Sequence, residues 1–114
     1  MLPKKRRLTA MQVREVLSSG KSLRGVAISL KYVVKPGFFS SAVVTPKAVA
    51  GLAVDRNRVR RALYRALSSL PPQEARILQN KMTVFFIKGI PSPLQTTLKA
   101  EVVGLLTKLP HPHV

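Results

Sequence analysis

Five arginines and an asparagine crowd one short stretch, Asp55-Arg56-Asn57-Arg58-Val59-Arg60-Arg61-Ala62-Leu63-Tyr64-Arg65-Ala66-Leu67-Ser68-Ser69-Leu70. A guanidinium is a planar fork of N–H donors with no acceptor, and its natural complement is a phosphate or carboxylate. Wound as a helix at about 100° per residue, Val59, Leu63, Ala66, Leu67 and Leu70 share an apolar face. Asn57, Arg60, Arg61, Tyr64 and Arg65 fall opposite, a basic face with an amide and an aromatic ring. The arrangement opposes its own helix. Arg56 with Arg60, and Arg61 with Arg65, are like charges four apart, each pair costing roughly 0.2–0.5 kcal/mol. Arg56 and Arg58 also stand in the first turn, where the helix dipole favours anions. A helix selected for stability alone would carry glutamates here, and an external polyanion removes the conflict.

The alternative is a solvated charged face, and composition argues against it. The chain has 20 Lys+Arg against 4 Asp+Glu, a net charge of +16 over 114 residues. Glu15, Asp55, Glu74 and Glu101 cannot neutralise that internally, so nucleic acid is the leading partner and an anionic membrane the second. No run nears the ~20 apolar residues of a spanning helix. The charged opening Met1–Arg7 is followed by Gln12, Arg14 and Glu15 rather than an apolar stretch, so export is not expected and the location is cytoplasmic. Lys4, Lys5, Arg6 and Arg7, with no lipidation motif beside them, read as an RNA-contacting arm rather than a membrane anchor.

The chemistry of catalysis is missing. There is no cysteine, and the four acids are too scattered to hold Mg²⁺. His111 and His113 sit in a Pro-rich tail without a third ligand. No Ser-His-acid set or glycine-rich phosphate loop occurs. The expectation is no catalytic residue, no metal or cofactor held by the protein alone, and no small-molecule substrate.

The elements that must position the basic face follow from patterning. Thr9 and Gln12 form a capping box opening a first helix over Met11, Val13, Val16 and Leu17, which Gly20 ends. Residues 23–34 alternate as a strand, with Val26, Ile28, Leu30 and Tyr32 on one side. Pro36-Gly37 is a turn, and 38–45 returns as a second strand, predicting a hairpin. Residues 46–54 favour a loop. Asp55 caps the arginine-rich helix, which Pro71-Pro72 stops. Residues 82–88 form a buried strand, in which at least one of Phe85 and Phe86 is core. Ser92 and Gln95 form a second capping box, with Pro93 opening a last helix over Leu94, Leu98, Val102, Leu105 and Leu109. One α+β domain over 1–109 results, ordered α-β-β-(β)-α-β-α, with a flexible tail at 110–114.

Arg56-Asn57-Arg58-Val59-Arg60-Arg61 resembles the Arg-Asn-x-x-(Lys/Arg)-Arg signature of the protein component of bacterial ribonuclease P. Leu2-Pro3-Lys4-Lys5-Arg6-Arg7-Leu8-Thr9 is similar to that family's basic N-terminus, and Val16-Leu17 with Gly20-Lys21 to the end of its first helix. Lys47 precedes the signature helix at the family's spacing. The resemblance implies a fold like the second domain of a small-subunit ribosomal protein, with a left-handed βαβ crossover around the signature helix. It implies a catalytic RNA that holds the Mg²⁺ ions and removes the 5′ leader of precursor tRNA. The protein would bind that RNA through Lys4, Lys5, Arg6, Arg7, Lys47, Arg56, Asn57, Arg58, Arg60, Arg61, Tyr64 and Arg65. It would receive the leader in a cleft between the first helix, the sheet and the signature helix, with Val13, Leu17, Lys31 and Tyr32 as candidates. The family usually has aromatic residues where this chain has Val13 and Leu17. Ala48 and Leu52 replace basic positions, Tyr64 an arginine and Arg65 an acid. The competing function is a ribosomal or rRNA-assembly protein using the same basic helix.

Overall fold

The computed structural model describes residues 7–46 and 53–109. The element order is α1 (Ala10–Ser19), β1 (Lys21–Arg24), β2 (Ile28–Val34), β3 (Phe39–Val44), α2 (Ala53–Ser68), α3 (Pro72–Ile77), β4 (Lys81–Ile87) and α4 (Leu94–Leu106). The sheet order is β1-β2-β4-β3; β1–β2 and β2–β4 are antiparallel, and β3–β4 is parallel. The β3-α2-α3-β4 path thus joins adjacent parallel strands through the arginine-rich helix.

Alternation along the strands divides the core in two. Ile28, Leu30, Tyr32, Val43, Phe85 and Ile87 pack with α2, α3 and α4. Met82 and Val84 face the other way, onto Val16 of α1. Three layers result, with α1 on one face of the sheet and α2 and α4 on the other.

The first helix forms as its sequence predicts. The Thr9 side chain accepts from Gln12 N (3.2 Å) and the Gln12 side chain accepts from Thr9 N (2.8 Å). Gly20 ends the helix with extended backbone (φ −76°, ψ 153°). Its glycine serves space rather than a left-handed turn, because a Cβ there would collide with the Val16 carbonyl oxygen.

Three expectations need correction. The strand over 23–34 is two strands: the chain turns at Gly25–Ala27, and Val26 is 92% exposed. The turn is held by α4, whose Glu101 Oε1 accepts from Ala27 N (2.8 Å) and Ile28 N (3.1 Å). Gly25 lies so close to that carboxylate that a side chain would meet it.

The hairpin across Pro36-Gly37 does not form, since β4 lies between β2 and β3. Pro36 followed by Gly37 at φ 85°, with Phe38 N donating to Lys35 O at 3.2 Å, is the pattern of a type II turn. Such a turn splays its flanking strands, whereas tight hairpins need the mirror-image types. Asn80, at φ 59°, enters the gap, its Oδ1 accepting from Gly37 N (3.1 Å) and its carbonyl from Lys35 N (2.8 Å).

The second capping box is also absent. The N-cap of α4 is Pro93, without a side-chain cap bond. Gln95 is committed elsewhere, its Nε2 donating to Ala62 O of α2 at 2.9 Å.

Two smaller differences concern the crossover. Asp55 lies in the first turn of α2, which begins at Ala53. Pro71-Pro72 stops α2 but opens α3, with Pro at the first helical positions. Lys81 then begins β4 almost buried, its ammonium donating to Ile77 O and Gln79 O at the end of α3. Burial holds that ammonium below the usual lysine pKa.

Glu101 gives a direct test of how the β1–β2 turn is fixed. Without its carboxylate, two buried N–H groups lose their acceptor, each at about 1–3 kcal/mol. Glu101→Ala should therefore lower the unfolding free energy by about 2–4 kcal/mol in urea titrations. Glu101→Gln, which keeps an acceptor oxygen, should lose less than half as much. Equal losses would show that charge, not the two hydrogen bonds, is what matters.

Candidate nucleic-acid interface

α2 exists because its apolar face has two surfaces to cover. Val59, Leu63 and Ala66 are fully buried, and Leu67 and Leu70 nearly so, all on the face expected from the sequence. α4 packs along one flank of α2 and β3 lies on another. On the open side, Arg58, Arg61 and Arg65 are exposed, as is Asn57. The three arginines are spaced i, i+3 and i+7, which at about 100° per residue makes a single stripe about 60° wide. Arg56 and Arg60 are half-buried and lie off the stripe, on the Leu63 and Leu67 side of the helix by its geometry. Arg60 Nη1 points at Asn57 Oδ1 at 3.5 Å, the outer limit of a hydrogen bond. Arg65 reaches the rim of a hollow of about 540 Å³ between α2 and α4, shared with Ser68, Ser69 and Gln95.

Tyr64 departs from the expected basic face. It is 7% exposed and belongs to the main core. Because the sheet and α4 both cover α2, the buried arc runs from Ala62 round to Tyr64, about 200° by helical geometry, with Arg56 and Arg60 half-buried within it. That is far wider than the stripe of a helix packed on one side.

The bounds of α2 remove part of the expected charge conflict: Asp55 stands in the first turn and Arg65 in the last, where the dipole favours each, so what is left is repulsion among the exposed arginines. Glu15 pairs with Lys35 at 3.3 Å across α1 and the Pro36-Gly37 turn. Glu101 is committed to backbone N–H groups, Glu74 lies in the first turn of α3, and Asp55 alone stands in the first turn of α2. The arginine stripe is left for an outside anion. If Arg61 makes one phosphate contact, Arg61→Ala should reduce the slope of log affinity against log salt by about 0.7–0.9 in RNA titrations. An unchanged slope with unchanged affinity would take Arg61 out of the interface.

A second surface lies on the other face of the sheet. α1 covers only part of it, leaving Val33, Ala42, Val44 and Phe86 half-buried around Val16, Met82 and Val84. Glu15 holds one side of α1 to Lys35, whose ammonium also sits over the Phe38 ring, 5.2 Å from its centroid. Val13 and Leu17 lie on the opposite side of the helix from Glu15, so both wall the remaining groove; Val13 is half-buried and Leu17 is 39% exposed. Lys31 is on the groove floor, its ammonium donating to Leu17 O at 3.1 Å at the C-terminal end of α1.

The leader-cleft candidates therefore divide. Val13, Leu17 and Lys31 come together, but Tyr32 is 8% exposed and packs into the core on the α2 side. Neighbours along a strand face opposite ways. The same rule separates Phe85, buried with α2 and α4, from Phe86, half-buried in the α1 groove. Arg24 pairs across to Ser29, and Ser29 to Phe86, which sets a cation in the row of that ring. Period-two alternation along 82–88 is the sequence signal that separates Phe86 from Phe85.

Arg7 is exposed and forms a parallel bridge with Ser41 of β3, and Leu8 N donates to Ser41 O at 3.2 Å. Arg7, the last residue of the basic run, is thus fixed at the β3 edge. Lys4, Lys5, Arg6, Lys47, Ala48, Leu52, His111, His113 and the proposed tail at 110–114 lie outside the described residues. Among the described residues no three His, Cys, Asp or Glu side chains come together, and no helix is long and apolar enough to cross a membrane.

A single α+β domain ordered α-β-β-β-α-α-β-α around a mixed four-stranded sheet is the fold of the ribonuclease P proteins. The ribonuclease P protein of Staphylococcus aureus superposes with a TM-score of 0.70 at 16% identity, covering 100% of this chain and 99% of that one. A second structure of the S. aureus protein gives 0.66 at 15% identity, covering 92% and 94%. The Thermotoga maritima protein gives 0.68 at 18% identity, covering 91% and 97%. A comparison with curated proteins finds no significant match. The sequence model of the ribonuclease P family matches residues 2–110, and the chain belongs to that family as the protein component of the ribonucleoprotein.

Proposed function

We propose that this protein binds the catalytic RNA of a bacterial ribonuclease P through the α2 stripe and receives the 5′ leader of precursor tRNA in the α1 groove. The observation that supports it most is the stripe of Arg58, Arg61 and Arg65, exposed along one side of α2, with Arg61 and Arg65 as like charges four apart and no salt bridge to the stripe among the described residues. A bound polyanion would offset the repulsion between these arginines. Asn57 beside the stripe adds an amide able to donate and accept, as sugar and base edges require.

The protein's part is binding and orientation. Its acids do not suit an Mg²⁺ ion, since Glu101 and Glu15 are engaged at opposite ends of the fold. The Mg²⁺ of the holoenzyme is therefore assigned to the RNA, as is catalysis, and the setting is the bacterial cytoplasm. A cationic protein lowers the repulsion between two RNAs that must approach each other. It also fixes the register of the single-stranded leader beside the cleavage site, a proximity effect.

The competing reading, a ribosomal or rRNA-assembly protein, predicts a different companion. Tagged protein recovered from cells at moderate salt should bring down one large structured RNA together with precursor-tRNA cleaving activity. Recovery of ribosomal particles without that activity would favour the competitor.

A further inference from the structure

We propose that Phe86 is the platform on which a base of an unpaired RNA strand stacks in the α1 groove, an inference that rests on the groove receiving the leader. β4 carries two adjacent phenylalanines with opposite fates. Phe85 is fully buried in the α2–α4 core, whereas Phe86 faces α1 and is only half-buried. The helix does not close over it. Val16 packs on Met82 and Val84, and Phe86 lies one row further along the strand. Its cross-strand partners are Ser29 on β2 and Val44 on β3, both too small to roof an aromatic ring.

The other half-buried ring on this face, Phe38, is already engaged by the Lys35 ammonium, at the Glu15 side of α1. That leaves Phe86 as the open ring of this face among the described residues.

The surroundings select a nucleic-acid occupant. Arg24 is in register with Ser29 and so shares the row of Phe86, and Lys31 is in register with Val84, one row away. The Lys31 ammonium spends one donor on Leu17 O and has others to give. Val13 and Leu17 supply an aliphatic wall on the helix side. A ring flanked by cations and bounded by an apolar wall suits a base on the ring with phosphates at the rim, and stacking of this kind accepts any base.

The test uses holoenzyme reconstituted with a bacterial ribonuclease P RNA and two precursor tRNAs, one with a long leader and one with a single-nucleotide leader. Phe86→Leu should weaken binding of the long-leader substrate by about fivefold or more and leave the short one unchanged. Scanning an abasic nucleotide through the long leader should reveal one position that weakens wild-type binding but adds nothing in Phe86→Leu. Phe86→Tyr, which keeps the ring, should retain long-leader binding.

An intact long-leader preference in Phe86→Leu would overturn the inference while leaving the groove in place. So would equal weakening of both substrates, or loss of long-leader binding in a folded Phe86→Tyr. If wild-type holoenzyme itself ignores leader length, the groove reading fails and the platform with it.

Discussion

Replacing Tyr64 with Ala should cost about 3 kcal/mol or more of folding stability, and Tyr64→Phe should leave RNA affinity unchanged. The residue sits in the arginine-rich helix, one turn past the signature, where the helical period places it on the RNA-facing side. Its ring is instead 7% exposed, in one core with Leu63, Leu67 and Phe85. Truncation removes the ring's transfer energy and leaves a cavity between α2 and its neighbours, and the two terms add. Tyr64→Phe preserves the ring and its packing. Melts in urea with RNA titrations on the same variants separate the two roles. A stable Tyr64→Ala protein that binds RNA poorly would return the ring to the interface.

That residue shows where local reading loses force. The apolar face of α2 was legible because Val59, Leu63, Ala66, Leu67 and Leu70 repeat at the helical period, and every one is buried. How far burial extends round the helix was not legible. It depends on two partners distant in sequence, β3 and α4, whose Gln95 bonds to Ala62 O. The same contact explains the missing capping box: Ser92 and Gln95 have the right spacing, but tertiary structure claims the amide first.

The sheet divides the same way. Ile28, Leu30 and Tyr32 were correctly set on one side, because alternation is a local property. Strand order was not, since the Pro36-Gly37 turn specifies a reversal without specifying whether its strands pair. Insertion of β4 between them is decided by the crossover through α2. The turn at Gly25–Ala27 escaped notice because Glu101, its acceptor, comes from α4. In the groove, the family resemblance groups Val13, Leu17, Lys31 and Tyr32, whereas alternation along β2 separates Tyr32 from the other three. Phe86 could have joined them had alternation been carried through 82–88.

The most direct test of the central claim is cleavage of precursor tRNA with and without RNA partner. Tight metal-assisted phosphodiester cleavage needs ligands that fix the ion and position the attacking water. Here Glu15 is held at Lys35 beside the turn, and Glu101 is held under the β1–β2 turn on the opposite side of the sheet. The arginine stripe can bind a phosphate but cannot generate a nucleophile. Purified protein with Mg²⁺ alone should therefore leave precursor tRNA intact. Adding a bacterial ribonuclease P RNA should give cleavage at the 5′ end of the mature tRNA, at Mg²⁺ concentrations where the RNA alone is nearly inactive. Cleavage by the protein after rigorous nuclease treatment, or no stimulation of the RNA by the protein, would contradict its role as the binding subunit of a ribonucleoprotein enzyme.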